Sequence, residues 1–419
     1  MTLFPLAAKS LWNRRLTSAL VVMSIALSVT LLLGVERLRT QARSSFANTL
    51  SGTDLIIGAR SSPINLLLYS VFRIGDPTNN VRWASFQAIA AHPQIAWTVP
   101  LSLGDSHRGF RVLGTTRDYF QYYRYGRSQR LQWVEGREFV EVFDAVLGAE
   151  VAERLGYRLG QSMVIAHGAG EVSFALHDDK PFRVVGILAR TGTPVDQTVH
   201  VSLAGIEAIH VDWQGGTPIP GQQLSAEQVR QLDLTPKTIT AVLVGLKSKT
   251  AIFHMQREIN EFAAEPLLAI LPGLTLQQLW DMLGVAENAL LVVSGLVVLV
   301  GLTVMLTALL TGLNERRREM AILRAVGARP GQIFTLMLGE SLALTLCGAA
   351  LGVLLLQGGL LWAGPILEGR LGLTIAGWPP SNYEWRLLMA VLGCGLLAGL
   401  LPAWRAYSYS LADGMTLRI

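Results

Sequence analysis

Residues 314–333 read NERRREMAILRAVGARPGQI and lie between two long apolar runs. They carry Arg316, Arg317, Arg318, Arg324 and Arg329 against only Glu315 and Glu319. An arginine-rich loop this short between two membrane spans marks the cytoplasmic side. Placed on a helix at about 100° per residue, Met320, Ile322, Leu323 and Val326 share one arc, with Arg317 and Arg324 opposite. Glu319 falls inside the apolar arc. A helix resting on lipid has no use for a carboxylate there, whereas one docked in a protein groove can pair it. The loop is therefore expected to be a helix that touches a cytoplasmic partner.

The flanking runs belong to a chain of 419 residues that is 51% hydrophobic and only 16% charged. That balance points to a membrane protein with a sizeable soluble part. Four segments are long and apolar enough for the roughly 20 residues a bilayer requires: 16–36, 285–313, 333–362 and 385–405. Residues 1–15 are expected to form an interfacial helix, 314–332 a cytoplasmic coupling loop, 363–384 an extracytoplasmic loop and 406–419 a cytoplasmic tail. Residues 37–284 hold stalks and a large extracytoplasmic α+β domain.

Charge placement sets the orientation. Lys9, Arg14, Arg15, the five loop arginines, Arg405 and Arg418 face only Glu315, Glu319 and Asp413, a balance of +7 within a chain of net +5. Both termini and the loop are thus read as cytoplasmic. The remainder is close to neutral, which argues against nucleic-acid binding. The first apolar run is longer than a secretory signal core and lacks a small-x-small cleavage site, so it reads as an uncleaved anchor. Cys347 and Cys394 both fall in apolar spans, leaving the external domain to fold without disulfides.

Within that domain, strands are expected at 111–114, 145–147, 162–166, 182–187, 199–202 and 240–246, and helices at 84–91, 149–155 and 252–262. The Gly/Pro-rich stretch 214–223 is the best internal boundary. Polar helical patterns at 36–50 and 274–289 read as the two stalks. No Gly-x(4)-Gly-Lys-[Ser/Thr] loop, Gly-x-Ser-x-Gly elbow or His-Glu-x-x-His pair occurs. Catalysis is not expected of these residues, nor a cofactor of their own. Were the chain to work with ATP and Mg²⁺, a separate ATPase subunit would have to bind them.

With its Arg-Arg-Arg-Glu start and Leu-Arg-Ala-Val-Gly-Ala core, the loop resembles the signature of FtsX/MacB-type, mechanotransmission ABC transporter permeases. Residues 11–33, Glu340 and the sequence LLPAWR at 400–405 look like other parts of that family's membrane region. The segments 136–160 and 182–193 resemble its MacB-like periplasmic core domain. The resemblance implies four transmembrane helices, a homodimer or a heterodimer with a related permease, two ATPase subunits, and in some members a periplasmic adaptor or substrate-binding protein. It also implies that residues 315–326 form the ATPase-coupling helix, here Glu315, Arg316, Arg317, Glu319, Met320, Ile322, Leu323 and Val326. The expected function is export or extraction of a hydrophobic, peptide or lipoprotein-like substrate. The alternative is a non-transporting mechanotransmitter that activates an external hydrolase or signalling partner.

Three further groups draw notice. Glu340, within the third span, reads as an interfacial or paired carboxylate rather than a transport site. The run INLLLYSVF at 64–72 is too short to span. It is either a buried core element or an exposed patch in which Leu66, Leu67, Leu68, Tyr69 and Phe72 contact lipid or substrate. All seven histidines lie outside the spans. His167, the His177-Asp178-Asp179 run and the pair His210 and Asp212 could supply metal ligands, but no spacing matches a recognisable site, and none is expected.

Overall fold

The computed structural model describes residues 14–168, 175–176, 178–214, 217–218, 224–315, 317–371 and 379–408. Helix α1 (Arg15–Thr49) opens the described chain and runs for 35 residues. Its apolar stretch is helical because backbone groups facing hydrocarbon must be satisfied within the segment. The polar groups follow the same rule, with the Ser28 and Thr30 hydroxyls donating to the carbonyls of Ser24 and Ala26 one turn back.

Residues Arg43–Leu283 form one compact unit. Its mixed sheet contains β1 (Leu55–Ala59), β2 (Ile95–His107), β3 (Phe110–Thr115), β4 (Trp133–Gly136), β5 (Asp144–Leu147), β6 (Ala166–His167), β7 (Phe182–Leu188) and β8 (Thr198–Ser202). After α2 (Leu203–His210) the sheet is completed by β9 (Ala241–Leu246) and β10 (Leu267–Ile270). The strand order is β10-β1-β9-β2-β3-β8-β5-β7-β4, with β6 pairing off the path onto β2. Neighbours are antiparallel except β3 with β8 and β5 with β7.

Alternation along the strands builds a core on each face. Leu55 and Ile57 of β1 pack with Phe86, Met255 and Ile259 on one side. Ile56 packs with Leu66, Leu67, Tyr69 and Phe72 on the other. The helical segment Pro63–Phe72 lies close on β1 because Gly58 has no side chain: a Cβ there would sit 2.6 Å from Leu66 Cδ1. The expected helices appear at Trp83–Ala90, Ala149–Leu155 and Ile252–Asn260. The single strand expected at 162–166 is instead two short pieces, Ser162–Met163 and Ala166–His167, which pair with β7 and β2 respectively. In the 214–223 stretch, Trp213–Gln214 pairs with Thr217–Pro218, while 215–216 and 219–223 lie outside the described residues.

The second unit comprises Met1–Ala42 and Gly284–Ile419. Helix α3 (Pro272–Glu315) runs from the first unit into it and is followed by α4 (Arg317–Ala325), α5 (Pro330–Leu371) and α6 (Asn382–Ser408). Helices α1, α3, α5 and α6 are the four long and apolar enough to cross a membrane. Small residues bring them together, as expected where lipid supplies no hydrophobic drive for helix association. A Cβ on Gly348 would sit 2.7 Å from the Ile25 side chain, and one on Gly352 would sit 2.7 Å from the Ala26 carbonyl. Gly395 and Gly399 approach Thr345 and Ser341 as closely. Hydroxyls pin the same contacts: Thr30 donates to the Gly352 carbonyl at 2.9 Å and Ser341 to that of Gly395 at 2.8 Å. The expected interfacial helix at 1–15 and the tail at 406–419 lie largely outside the described residues, as do residues 372–378 of the 363–384 loop.

Candidate functional site

Helix α4 is bounded by its own chemistry. Gly327 adopts φ +100° just past the last turn, and Val326, Gly327 and Ala328 donate backward to the carbonyls of Ile322, Arg324 and Leu323. This glycine-closed end prevents α4 from merging with α5, which starts on Pro330. Met320 and Ala321 are buried, Met320 among Leu313, Ile333, Met337, Ala403 and Ala406. Arg324 Nη2 donates to the Tyr407 carbonyl at 2.9 Å, satisfying an acceptor at the end of α6. These contacts fix which way α4 faces. Glu319, Ile322 and Val326 are exposed and Leu323 is half-exposed, so positions i, i+3, i+4 and i+7 form one outward stripe.

The sequence expectation is thereby corrected at one position. Met320 does not share the outward arc with Ile322, Leu323 and Val326; it lies about 100° around the helix from Glu319 and is drawn into the interior. Arg316 and the side chains of Glu315, Arg317 and Arg318 lie outside the described residues. Glu340, on α5, is 4% exposed and interacts with a neighbour.

At the far end of the bundle, Arg37 on α1 grips Glu384 on α6 with two parallel bonds, Nε to Oε1 at 2.7 Å and Nη2 to Oε2 at 2.9 Å. Both side chains are nearly buried, at 7% and 4% exposure. Glu384 also accepts from the Ser381 N–H at 2.7 Å while its own N–H donates to Ser381 Oγ at 3.1 Å. The sequence reading passes over this pair, although Ser381-Asn382-Tyr383-Glu384 before an apolar run is the signature of a reciprocal helix cap.

A model of the MacB-like periplasmic core domain matches residues 16–262, and a model of the FtsX-like permease C-terminal region matches residues 291–411. The chain belongs to the FtsX/MacB-type ABC permease family. Over 119 residues it is 35% identical to the uncharacterized ABC transporter permease YknZ of Bacillus subtilis, covering 27% of each chain. Over 421 residues it is 25% identical to the pyoverdine export ATP-binding/permease protein PvdT of Pseudomonas fluorescens, covering 96% of this chain and 57% of that one. The macrolide export ATP-binding/permease protein MacB of a Shewanella species is 23% identical over 327 residues, or 77% of this chain and 46% of its own. The chain thus spans at most 57% of the length of these curated relatives. The extracytoplasmic domain typical of the family is the α+β unit described above.

Two further groups singled out in the sequence can be placed. Leu66, Leu67, Tyr69 and Phe72 are buried and Leu68 packs against the same core, so the lipid- or substrate-contact reading of this segment is corrected to a core element. Apolar residues at this density find an interior as soon as a sheet strand offers one, and β1 does. The segment instead seats helix ends. Phe72 meets Phe46 of α1 at 4.3 Å between ring centroids, and Phe46 meets Trp280 of α3 edge-on at 5.5 Å. Arg43 lies over the same Trp280 ring.

The histidine and aspartate candidates also separate. His177 lies outside the described residues. Asp212 pairs with the fully buried Lys180 at 2.8 Å rather than with a histidine. Burial works against charging Lys180, but Asp179 and Asp212 outweigh it and raise its pKa. Burial likewise works against the Asp212 carboxylate, but Lys180 holds its pKa below the usual range. His167 and His210 do come together, and with a residue the sequence reading did not single out, Asp105.

Proposed function

We propose that this chain is the membrane subunit of an ABC transporter complex in a bacterial cytoplasmic membrane, with both termini and α4 in the cytoplasm. A partner ATPase subunit binds ATP and Mg²⁺, and its closure pushes on α4. The chain pairs with a second copy or a related permease, and the moving extracytoplasmic domains export or extract a hydrophobic, peptide or lipoprotein-like substrate. The observation that carries this reading is the outward stripe of α4: Glu319 followed one and two turns on by Ile322 and Val326, the two apolar residues 56% and 73% exposed. Such a surface is costly to leave in water and suits an apolar groove with one basic residue. The helix behind it is held by Met320 and by the Arg324–Tyr407 bond, so a push on the stripe is not lost in the loop.

Two uninterrupted helices support a lever mechanism. Helix α3 spans 44 residues, about 66 Å at 1.5 Å per residue, and α1 spans 35. Phe46 and Trp280 join them at their domain ends, against Phe72 in the core. The test is purification of the tagged full chain in mild detergent with its co-purifying proteins identified, alongside Glu319→Lys and Ile322→Asp. The wild type is expected to recover an ATPase. Either variant is expected to lose it at least tenfold while inserting normally, since burying a half-exposed Ile supplies about 1–2 kcal/mol and an unpaired buried charge costs more. Undiminished recovery and ATPase activity in both variants would refute the coupling role.

A further inference from the structure

We infer that Asp105, His167 and His210 form a binding site in the extracytoplasmic domain for a divalent transition ion of the zinc class, with one coordination position open. His167 Nδ1 and His210 Nε2 are 3.1 Å apart, and they lie 3.3 and 3.5 Å from the same oxygen, Asp105 Oδ1. Zinc binds nitrogen and oxygen at about 2.0–2.1 Å in a tetrahedron, whose edges are then about 3.3–3.4 Å. The three donor atoms therefore already occupy one face of such a tetrahedron.

The surroundings orient the donors. Asp105 and His167 are cross-strand partners on β2 and β6, and the register of β2 slips between Leu103 and Ser106, so Asp105 sits in a bulge that re-aims its side chain. His210 is the last residue of α2, where the helix dipole favours a cation. Its Nδ1 lies 2.8 Å from the Ile206 carbonyl, which can only accept. The ring proton therefore resides on Nδ1, and Nε2 presents a lone pair to the centre. Metal-binding histidines are usually fixed by such a bond from the other ring nitrogen.

The state of the Asp105 carboxylate points the same way. Asp105 is 3% exposed, and its Oδ1 receives no well-formed hydrogen bond. A buried carboxylate oxygen left in that state costs free energy that a coordinated dication would recover. The His167 and His210 side chains are 37% and 26% exposed, so an ion can reach the donors from solvent.

The untagged full chain, stripped with chelator and dialysed against Zn²⁺, is expected to retain one equivalent. Zinc should raise its thermal unfolding temperature. Co²⁺ should give the visible absorption of a low-symmetry, tetrahedral-type site. His210→Ala and Asp105→Asn should each lower affinity by more than about a hundredfold, beyond the loss typical of outer-shell changes. His254→Ala, which alters the separate cluster of His92, His254 and Glu258, should bind as the wild type does. Circular dichroism of each stripped variant separates lost binding from lost folding, and for any variant that fails to fold His167→Ala takes its place. No stoichiometric zinc on the wild type, or undiminished binding in folded His210→Ala, would overturn the site.

Discussion

Replacing Glu384 with Gln probes the Arg37–Glu384 pair most cleanly, because glutamine can still serve the reciprocal cap with Ser381 but cannot neutralise Arg37. The cost follows from the geometry. Two charge-assisted bonds of 2.7 and 2.9 Å join side chains only 7% and 4% exposed. Removing one partner leaves a guanidinium that can neither lose its proton nor reach water. Breaking a buried pair in this way costs about 3–5 kcal/mol, a shift of two to more than three powers of ten in the folding equilibrium. Glu384→Ala removes the cap as well and should cost about 1 kcal/mol more. The double variant Arg37→Met/Glu384→Met carries no stranded charge and should lie near the wild type or above it. Unfolding of the purified full chain in mixed micelles titrated with a denaturing detergent, followed by circular dichroism, supplies the four values. If Glu384→Gln falls within 1 kcal/mol of the wild type, or the double variant is as unstable as the single ones, the pair is not the clasp described here.

Other substitutions test other contacts. Gly352→Val would force a Cβ against the Ala26 carbonyl and Val29, and should cost about 1–3 kcal/mol in the same assay; an unchanged value would mean that α1 and α5 do not pack at this point. His200 is fully buried beside Tyr119 and Phe120, and burial together with the Arg73 charge depresses its pKa to about 3. The unfolded chain therefore takes up this proton first, so stability is lost as pH falls below about 6.5, by about 1.4 kcal/mol per unit until pH approaches 3. The wild-type minus His200→Gln difference in unfolding free energy should accordingly shrink by about 2.3 kcal/mol between pH 6.5 and 4.5, and a pH-independent difference would contradict the buried neutral ring.

What the sequence makes legible follows from how local each signal is. The four spans and the loop between the second and third need only composition and charge, and α3 to α6 follow from them. Strands β3, β5, β7, β8 and β9 announce themselves through clustered Val, Ile and Leu. Strand β1, with the sequence LIIGA, is buried on both faces, so it shows no alternation, and its brevity leaves helix and strand equally open. Pro100 and Gly104 inside β2 argue locally against a strand. The structure tolerates Pro100 there, and its carbonyl accepts from the Thr115 hydroxyl. Met320 was misdirected because helical periodicity fixes which residues share an arc but not which arc meets the protein. The Asp105, His167 and His210 triad and the Arg37–Glu384 pair unite residues 43 to 347 positions apart, beyond the reach of any spacing rule.

The placement of β1 between β9 and β10 also governs how the domain comes to exist. Leu55 pairs with Val244 and Ile56 with Ile270, so an early strand waits for partners made about 190 residues later. At a bacterial synthesis rate of about 5–20 residues per second, that wait lasts roughly 10–40 s. Throughout it, a flat run of Leu, Ile and Ile stands unpaired outside the membrane, a template for aggregation. The closing strand, β10, is followed within two residues by the start of α3, so the sheet can be completed only as the next span is being made. The unfinished sheet is thus exposed to aggregation until Leu267–Ile270 is made, and truncations ending before Leu267 should aggregate rather than fold.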